Sequence, residues 1–221
     1  APTKFSDPYS ADQWSYKNSG DKSWAPTARE GADINVSQAW TLCAGDPRVV
    51  VAVIDEAVHT DHPDLRANIW TRESDGVHGW NFTNNSSKLD WSSENNSGHG
   101  THVAGTVAAV NNNGIGVSGI AGGSGKNDGV KIMSCQIFEG GDGASLSAIA
   151  KAFEWAADNG ACIAQCSFGS VSGDYKNDGA YTSLAKVEVD AINYFISKSN
   201  CAAMDGGLVI VAAGNDGKPL S

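Results

Sequence analysis

The chain reads as α/β: a doubly wound, mostly parallel sheet with helices on both faces. Three observations carry this. Val49-Val50-Val51-Ala52-Val53-Ile54 is a nearly unbroken apolar run of strand length that stops at Asp55, the pattern of a strand buried on both faces. Leu208 to Ala213 is a second such run and ends at Gly214-Asn215. Between the two, strand-like and helix-like segments alternate, the order of a parallel sheet wound by helices.

Taken in order, residues 1–40 carry Trp14, Trp24 and Trp40 among polar residues with little periodicity, and read as an arm packed on the main body. The first core strand is 49–54. Residues 73–96 are rich in Trp, Asn and Ser, with one short strand near Trp80-Asn81-Phe82. From His99 to Val110 the pattern is helical, and Gly100, Ala104 and Ala108 share one smooth face that another backbone can approach closely. Residues 130–137 form a strand and 145–159 an amphipathic helix, with Leu146, Ile149, Ala150, Phe153 and Ala157 inward and Gly160 as its stop. Cys162–Cys166 is another strand. The helix at 183–198 turns Leu184, Val187, Ala191, Ile192 and Phe195 inward. With no internal repeat and no dividing linker, residues 1–221 are expected to form one domain.

A chain of 221 residues, 41% apolar and 18% charged, has ample length for one buried core. No run approaches a membrane span, and no charged start precedes an apolar core as in a signal peptide. A formal charge of −10 argues against a nucleic-acid partner, which requires a basic patch, and favours neutral or cationic substrates. The five cysteines, at 43, 135, 162, 166 and 201, lack close metal-ligand spacing. Cys135, Cys162 and Cys166 lie in core strands as small hydrophobes. A disulfide through Cys43 or Cys201 stays open, and mostly free, buried thiols are expected.

The chemistry gathers where strands end. Asp55 closes one apolar run, Asn215 follows the other, and His99 opens a helix. In open α/β sheets that edge is where ligands bind. A lone histidine at such a position reads as a loop hydrogen bond, and a lone asparagine as a turn residue. Together with Asp55 they make an acid, an imidazole and an amide donor at one edge.

Val51-Ala52-Val53-Ile54-Asp55, His59-Thr60-Asp61-His62-Pro63-Asp64-Leu65, Ser97-Gly98-His99-Gly100-Thr101-His102-Val103-Ala104-Gly105-Thr106 and Ala212-Ala213-Gly214-Asn215 resemble, in order, the successive signatures of subtilisin-like serine proteases. The resemblance covers nearly the whole chain. It implies a serine endopeptidase in which His99 is the general base, Asp55 holds and stabilises its imidazolium, and Asn215 donates to the oxyanion. His102, the second histidine of the motif, is expected to be structural. Cys166-Ser167-Phe168-Gly169 resembles the family's Ser-Leu-Gly segment, so Ser167, Phe168 and Gly169 would pair with the peptide from one side. Asp142-Gly143-Ala144 would pair from the other, the substrate becoming an added strand. Asp216 stands where some members carry an acid near the first pocket's rim.

Residues 110–117 resemble the family's calcium loop. The implied cofactor is Ca²⁺, bound by the carbonyls of Val110, Ile115 and Val117 and the side chains of Asp7, Asp64 and Asn113. That all-oxygen set suits a hard cation. The family's nucleophile lies in a Gly-Thr-Ser-Met-Ala-like motif beyond the oxyanion asparagine, and no such motif occurs here. The expectation is that a C-terminal fragment of the same precursor, parted near the exposed turn Gly217-Lys218-Pro219, carries that serine and docks on this chain. The alternative is an inactive subtilisin-like module that binds peptides. A secreted, periplasmic or cell-surface location follows from the resemblance.

Where the family has Ser, Thr or Asp and then Gly after the catalytic acid, this chain has Glu56-Ala57. Alanine takes positive φ less readily than glycine, so an altered turn is expected. Gly114-Ile115-Gly116-Val117-Ser118-Gly119 matches a dinucleotide fingerprint but follows a helix, not a strand. His59, Asp61 and His62 lack a fourth ligand for zinc.

Overall fold

The computed structural model describes residues 5–23, 25–140, 143–169, 175–215 and 217. Its core is a five-stranded sheet in the order β2-β3-β1-β4-β5, all neighbours parallel. The strands are β1 (Val50–Asp55), β2 (Gly79–Asn81), β3 (Lys131–Gln136), β4 (Ile163–Cys166) and β5 (Leu208–Val211). Helices α1 (Val36–Ala39), α2 (His99–Ala108), α3 (Leu146–Asp158), α4 (Asp178–Leu184) and α5 (Lys186–Lys198) accompany them. The fold class is the one the apolar runs imply.

β1 lies at the centre because every one of its residues is apolar until Asp55, and all six are buried. Val50, Ala52 and Ile54 join Met133, Cys135, Ala164 and Cys166 in one core with Ile149, Phe153 and Phe195 of α3 and α5. Val51 and Val53, on the opposite face, are buried as well. A strand covered on both sides needs no polar alternation. Helix α3 starts at an N-cap, Ser145, whose side chain accepts the Ala148 N–H, satisfying one otherwise orphan donor.

The chain divides into two compact units. Residues 48–60, 69–104 and 131–221 hold the sheet with α3, α4 and α5. Residues 1–47, 61–68 and 105–130 form the other. There Trp40 packs on Phe5 and Tyr16 and donates its indole N–H to Ile120 O at 2.7 Å. Burial pushes the Tyr16 hydroxyl up to about 12. Among the described residues, no helix is long and apolar enough to cross a membrane.

Three expectations are corrected. The helix at 183–198 is two helices meeting at buried Ala185, whose φ of −105° and ψ of 29° leave the helical range. The change of phase leaves Leu184 and Val187 exposed, while Ala191 and Phe195 stay buried. β5 is not covered on both sides: Leu208, Ile210 and Val211 are exposed, because β5 is the edge strand of the described sheet. Cys162 is not a free thiol. It forms a disulfide with Cys201, Cα–Cα 4.9 Å, tying the entry of β4 to the segment after α5. Cys135 and Cys166 are free and buried, and Cys43 is free and exposed.

Candidate active site

The first pair is set by the ends of β1 and the start of α2. Asp55 is the last residue of β1 and is 1% exposed, and His99 is the first residue of α2. Asp55 Oδ1 lies 2.7 Å from His99 Nδ1. Gly100 makes this approach feasible, since a Cβ there would stand 2.1 Å from the Glu56 carbonyl oxygen. Ala104 and Ala108, on the same face, are fully buried. The carboxylate's ring partner is His99, and His102 lies exposed on α2.

Burial pushes the Asp55 carboxyl above the ordinary aspartate range, and the nearby Glu56 charge adds to this. Hydrogen bonds from His99 and from the Glu56 N–H pull it back down. Asp55 Oδ2 is buried with no hydrogen-bond partner among the described residues. The His99 side chain, by contrast, is 51% exposed. A buried acid behind a half-exposed imidazole is the arrangement that holds one tautomer while leaving the far ring nitrogen for a reaction partner.

The remaining candidates follow the topology. β3, β1 and β4 are adjacent and parallel, so the segments after β3 and after β4 flank the end of β1. Gly143 and Ala144 lie in the first, before α3; Ser167, Phe168 and Gly169 lie in the second. Phe168 stands edge-on to Phe138 at 5.6 Å, and the Ser167 hydroxyl accepts from Gln165 Nε2 at 3.1 Å. A cavity of about 410 Å³ opens beside Gly143 and Ser145, with Glu139 and Phe82 in its wall. Asn215, exposed, follows β5 at the same sheet edge, two strands along from β1. Asp142, Asp216 and the Lys218-Pro219 turn lie outside the described residues.

In the other unit the six residues of the calcium reading come together through hydrogen bonds. Asp7 accepts from the N–H groups of Asn112, Asn113 and Gly114 and from the Ser118 hydroxyl. Asp64 Oδ1 meets the Asn113 amide at 2.6 Å, and Oδ2 accepts the Val117 N–H at 2.9 Å. The Val110 N–H donates to the Asp64 carbonyl, and the Ile115 N–H to Asn113 Oδ1. Both acids are buried, and the groups that donate to them are neutral. Burial pushes the Asp64 carboxyl up, and the Asp7 charge adds to it. A buried carboxylate whose ionisation a second buried acid makes costlier, with Asn113 bonded to both, fits a hard cation. Among the described residues, no three His, Cys, Asp or Glu side chains form a metal cluster, so a cation here would rest on amide and carbonyl oxygens as well.

Sequence reasoning missed the props of this site. At Glu56-Ala57, where an altered turn is expected, Ala57 does not adopt positive φ. Residues 57–59 are pinned instead by the Ser134 hydroxyl accepting Val58 N–H, the Thr101 hydroxyl accepting His59 N–H, and the Asn96 amide donating to Ala57 O. Glu56 itself binds Ser97 and His99. The signal was the charged residue standing next to Asp55.

Residues 46–221 match the sequence profile of the Subtilase family. The chain is 32% identical over 184 residues to thermitase from Thermoactinomyces vulgaris, covering 83% of this chain and 53% of that protein. It is 35% identical over 219 residues to an extracellular protease of Xanthomonas campestris pv. campestris, covering 86% of this chain and 33% of that one. It thus spans about half the length of the first and a third of the second. A crystal structure of the Aeromonas sobria serine protease with its chaperone superposes with a TM-score of 0.72 at 22% identity, over 97% of this chain and 33% of that one. That likeness shows the subtilisin-like fold.

Proposed function

The chain belongs to the subtilase family, and from that premise we propose that it supplies the acid, the base and the oxyanion donor of an exported serine endopeptidase. The observation that carries this is the 2.7 Å contact between Asp55 Oδ1 and His99 Nδ1 at the sheet edge where the peptide would lie. His99 takes the proton of a serine hydroxyl as it attacks the scissile carbonyl, and returns it to the leaving amine. Asp55 keeps the ring oriented and stabilises its charged form. Asn215 donates to the oxygen that gains charge. Gly143-Ala144 and Ser167-Phe168-Gly169 hold the peptide between them by main-chain pairing.

The serine belongs to polypeptide not among these 221 residues, carried by a C-terminal fragment of the same precursor. The apolar outer edge of β5, at Leu208, Ile210 and Val211, supports this, since an exposed apolar edge strand invites a covering element. Calcium bound by Asp7, Asp64, Asn113 and the loop carbonyls of Val110, Ile115 and Val117 would stabilise the loop by neutralising its buried acids. Both compact units then serve one peptidase domain, and extracellular relatives support secretion.

The test is the product of the complete reading frame, assayed for peptide hydrolysis and for labelling by a fluorophosphonate. Hydrolysis is expected, abolished by His99→Ala, with the label on a serine outside residues 1–221. No hydrolysis and no label, with peptide binding retained, would replace the enzyme reading by a peptide-binding module.

A further inference from the structure

Glu56 is 9% exposed, and its side chain points at the loop that delivers His99. Its Oε2 accepts three hydrogen bonds: from Ser97 N–H at 3.0 Å, from the Ser97 hydroxyl at 2.8 Å and from His99 N–H at 3.1 Å. Its own N–H donates to Asp55 Oδ1 at 2.7 Å, the same oxygen that meets the His99 ring. A closed ring results. Asp55 Oδ1 holds the His99 ring, Glu56 Oε2 holds the His99 backbone, and the bond between Asp55 and Glu56 joins the two.

The start of a helix leaves N–H groups without partners and carries positive potential. The residue before His99 is Gly98, which has no side chain with which to cap. The Ser97 hydroxyl is a local acceptor for the His99 N–H at 3.3 Å, and the end of β1 adds a closer one that is a full carboxylate, which makes shorter and stronger bonds than a neutral acceptor. The Glu56 carbonyl oxygen lies directly against Gly100, so both main chain and side chain of Glu56 bracket the first turn of α2.

We infer that Glu56 is a positioning residue for His99: it fixes the imidazole against Asp55 by clamping the backbone of Ser97 and His99. This rests on the reading of His99 as the general base. A ring displaced by about 1 Å loses on the order of 10²-fold in rate, and the loss falls on kcat, because Glu56 is buried against the loop that carries His99.

The experiment uses the complete protein, with kcat expressed per site after titration with a serine-directed inhibitor. A second readout is the proton resonance of the His99 Nδ1–H bonded to Asp55. Glu56→Ala is expected to lower kcat by on the order of 10²-fold with KM unchanged, and to shift or broaden that resonance. Glu56→Gln, which keeps an acceptor oxygen, should recover most of the loss. A purely structural role would lower the melting temperature of Glu56→Ala while leaving per-site kcat and the resonance as in the parent, and that result overturns the inference. If Glu56→Ala does not fold, Ser97→Ala, which removes one of the three bonds to Glu56, decides: unchanged kcat and resonance overturn the inference, and a partial loss of both supports it. A parent protein without peptidase activity would defeat the functional reading alone, because the resonance still reports whether Glu56 holds the ring.

Discussion

Asp55 Oδ1 lies 2.7 Å from His99 Nδ1, while Oδ2 of the same carboxylate is buried without a partner among the described residues. One oxygen is engaged and the other only desolvated. Burial therefore outweighs hydrogen bonding, and the carboxyl is pushed up from its ordinary range.

For activity, Asp55→Asn in the complete enzyme is expected to lower kcat on the order of 10⁴-fold, because an amide cannot hold the required tautomer or stabilise an imidazolium. For stability the sign is the reverse. A carboxyl raised on folding contributes most below its unfolded value and loses that contribution as pH rises through its folded value. Melting temperatures from pH 3 to 8 should show the variant gaining on the parent as pH rises above about 4. A variant that loses ground to the parent as pH rises would contradict the upward shift.

Asn215→Ala is expected to reduce kcat by about 10² to 10³-fold with little change in KM, since an oxyanion donor acts only as charge develops. Steady-state kinetics on a short peptide amide check this. An equal rise in KM at constant kcat would make Asn215 a ground-state contact instead.

Calcium should raise the melting temperature and a chelator should lower it. At a free concentration 100 times Kd the gain is about 2.7 kcal/mol. Asp64→Asn should remove the response. Gly116 has φ +58°, and a Cβ there would meet Asp64 Oδ2 at 2.0 Å, so Gly116→Ala should cost more than about 1 kcal/mol. Melting unaffected by calcium or chelator would remove the cation from the site.

The Cys162–Cys201 bond closes a segment with a sequence separation of 39. Loop entropy on that scale corresponds to about 4 kcal/mol, so Cys201→Ser should lower the denaturant midpoint accordingly. In the native protein, alkylation should reach Cys43, which is exposed, and spare Cys135 and Cys166. Burial pushes both of those thiols up, Cys166 to about 12, and the thiol form is inert. Mass spectrometry of the alkylated digest reads the pattern directly.

The sequence by itself determined the elements whose signal is local. The apolar run of β1, the capped amphipathic α3, and the small-residue face of α2 follow from periodicity within a dozen residues, and Asp55, His99 and Asn215 stand at the ends of such elements. The loop at 110–117 with Asp7 and Asp64 was read from the family resemblance, and hydrogen bonds join these residues in space. What only the tertiary structure decided depends on groups distant in the chain meeting in space. No Gly or Pro marks the break at Ala185, because burial of that residue between two helices places it. The pairing of Cys162 with Cys201 is a distance between the start of a strand and the segment after a helix. The exposure of β5 depends on which strand ends the sheet, which an apolar run cannot declare. Glu56 sits beside Asp55 in sequence, yet its three hydrogen bonds reach residues 97–99, more than forty positions away. Its role arises because the end of β1 brings a carboxylate to the start of α2, where the local acceptor is the neutral Ser97 hydroxyl.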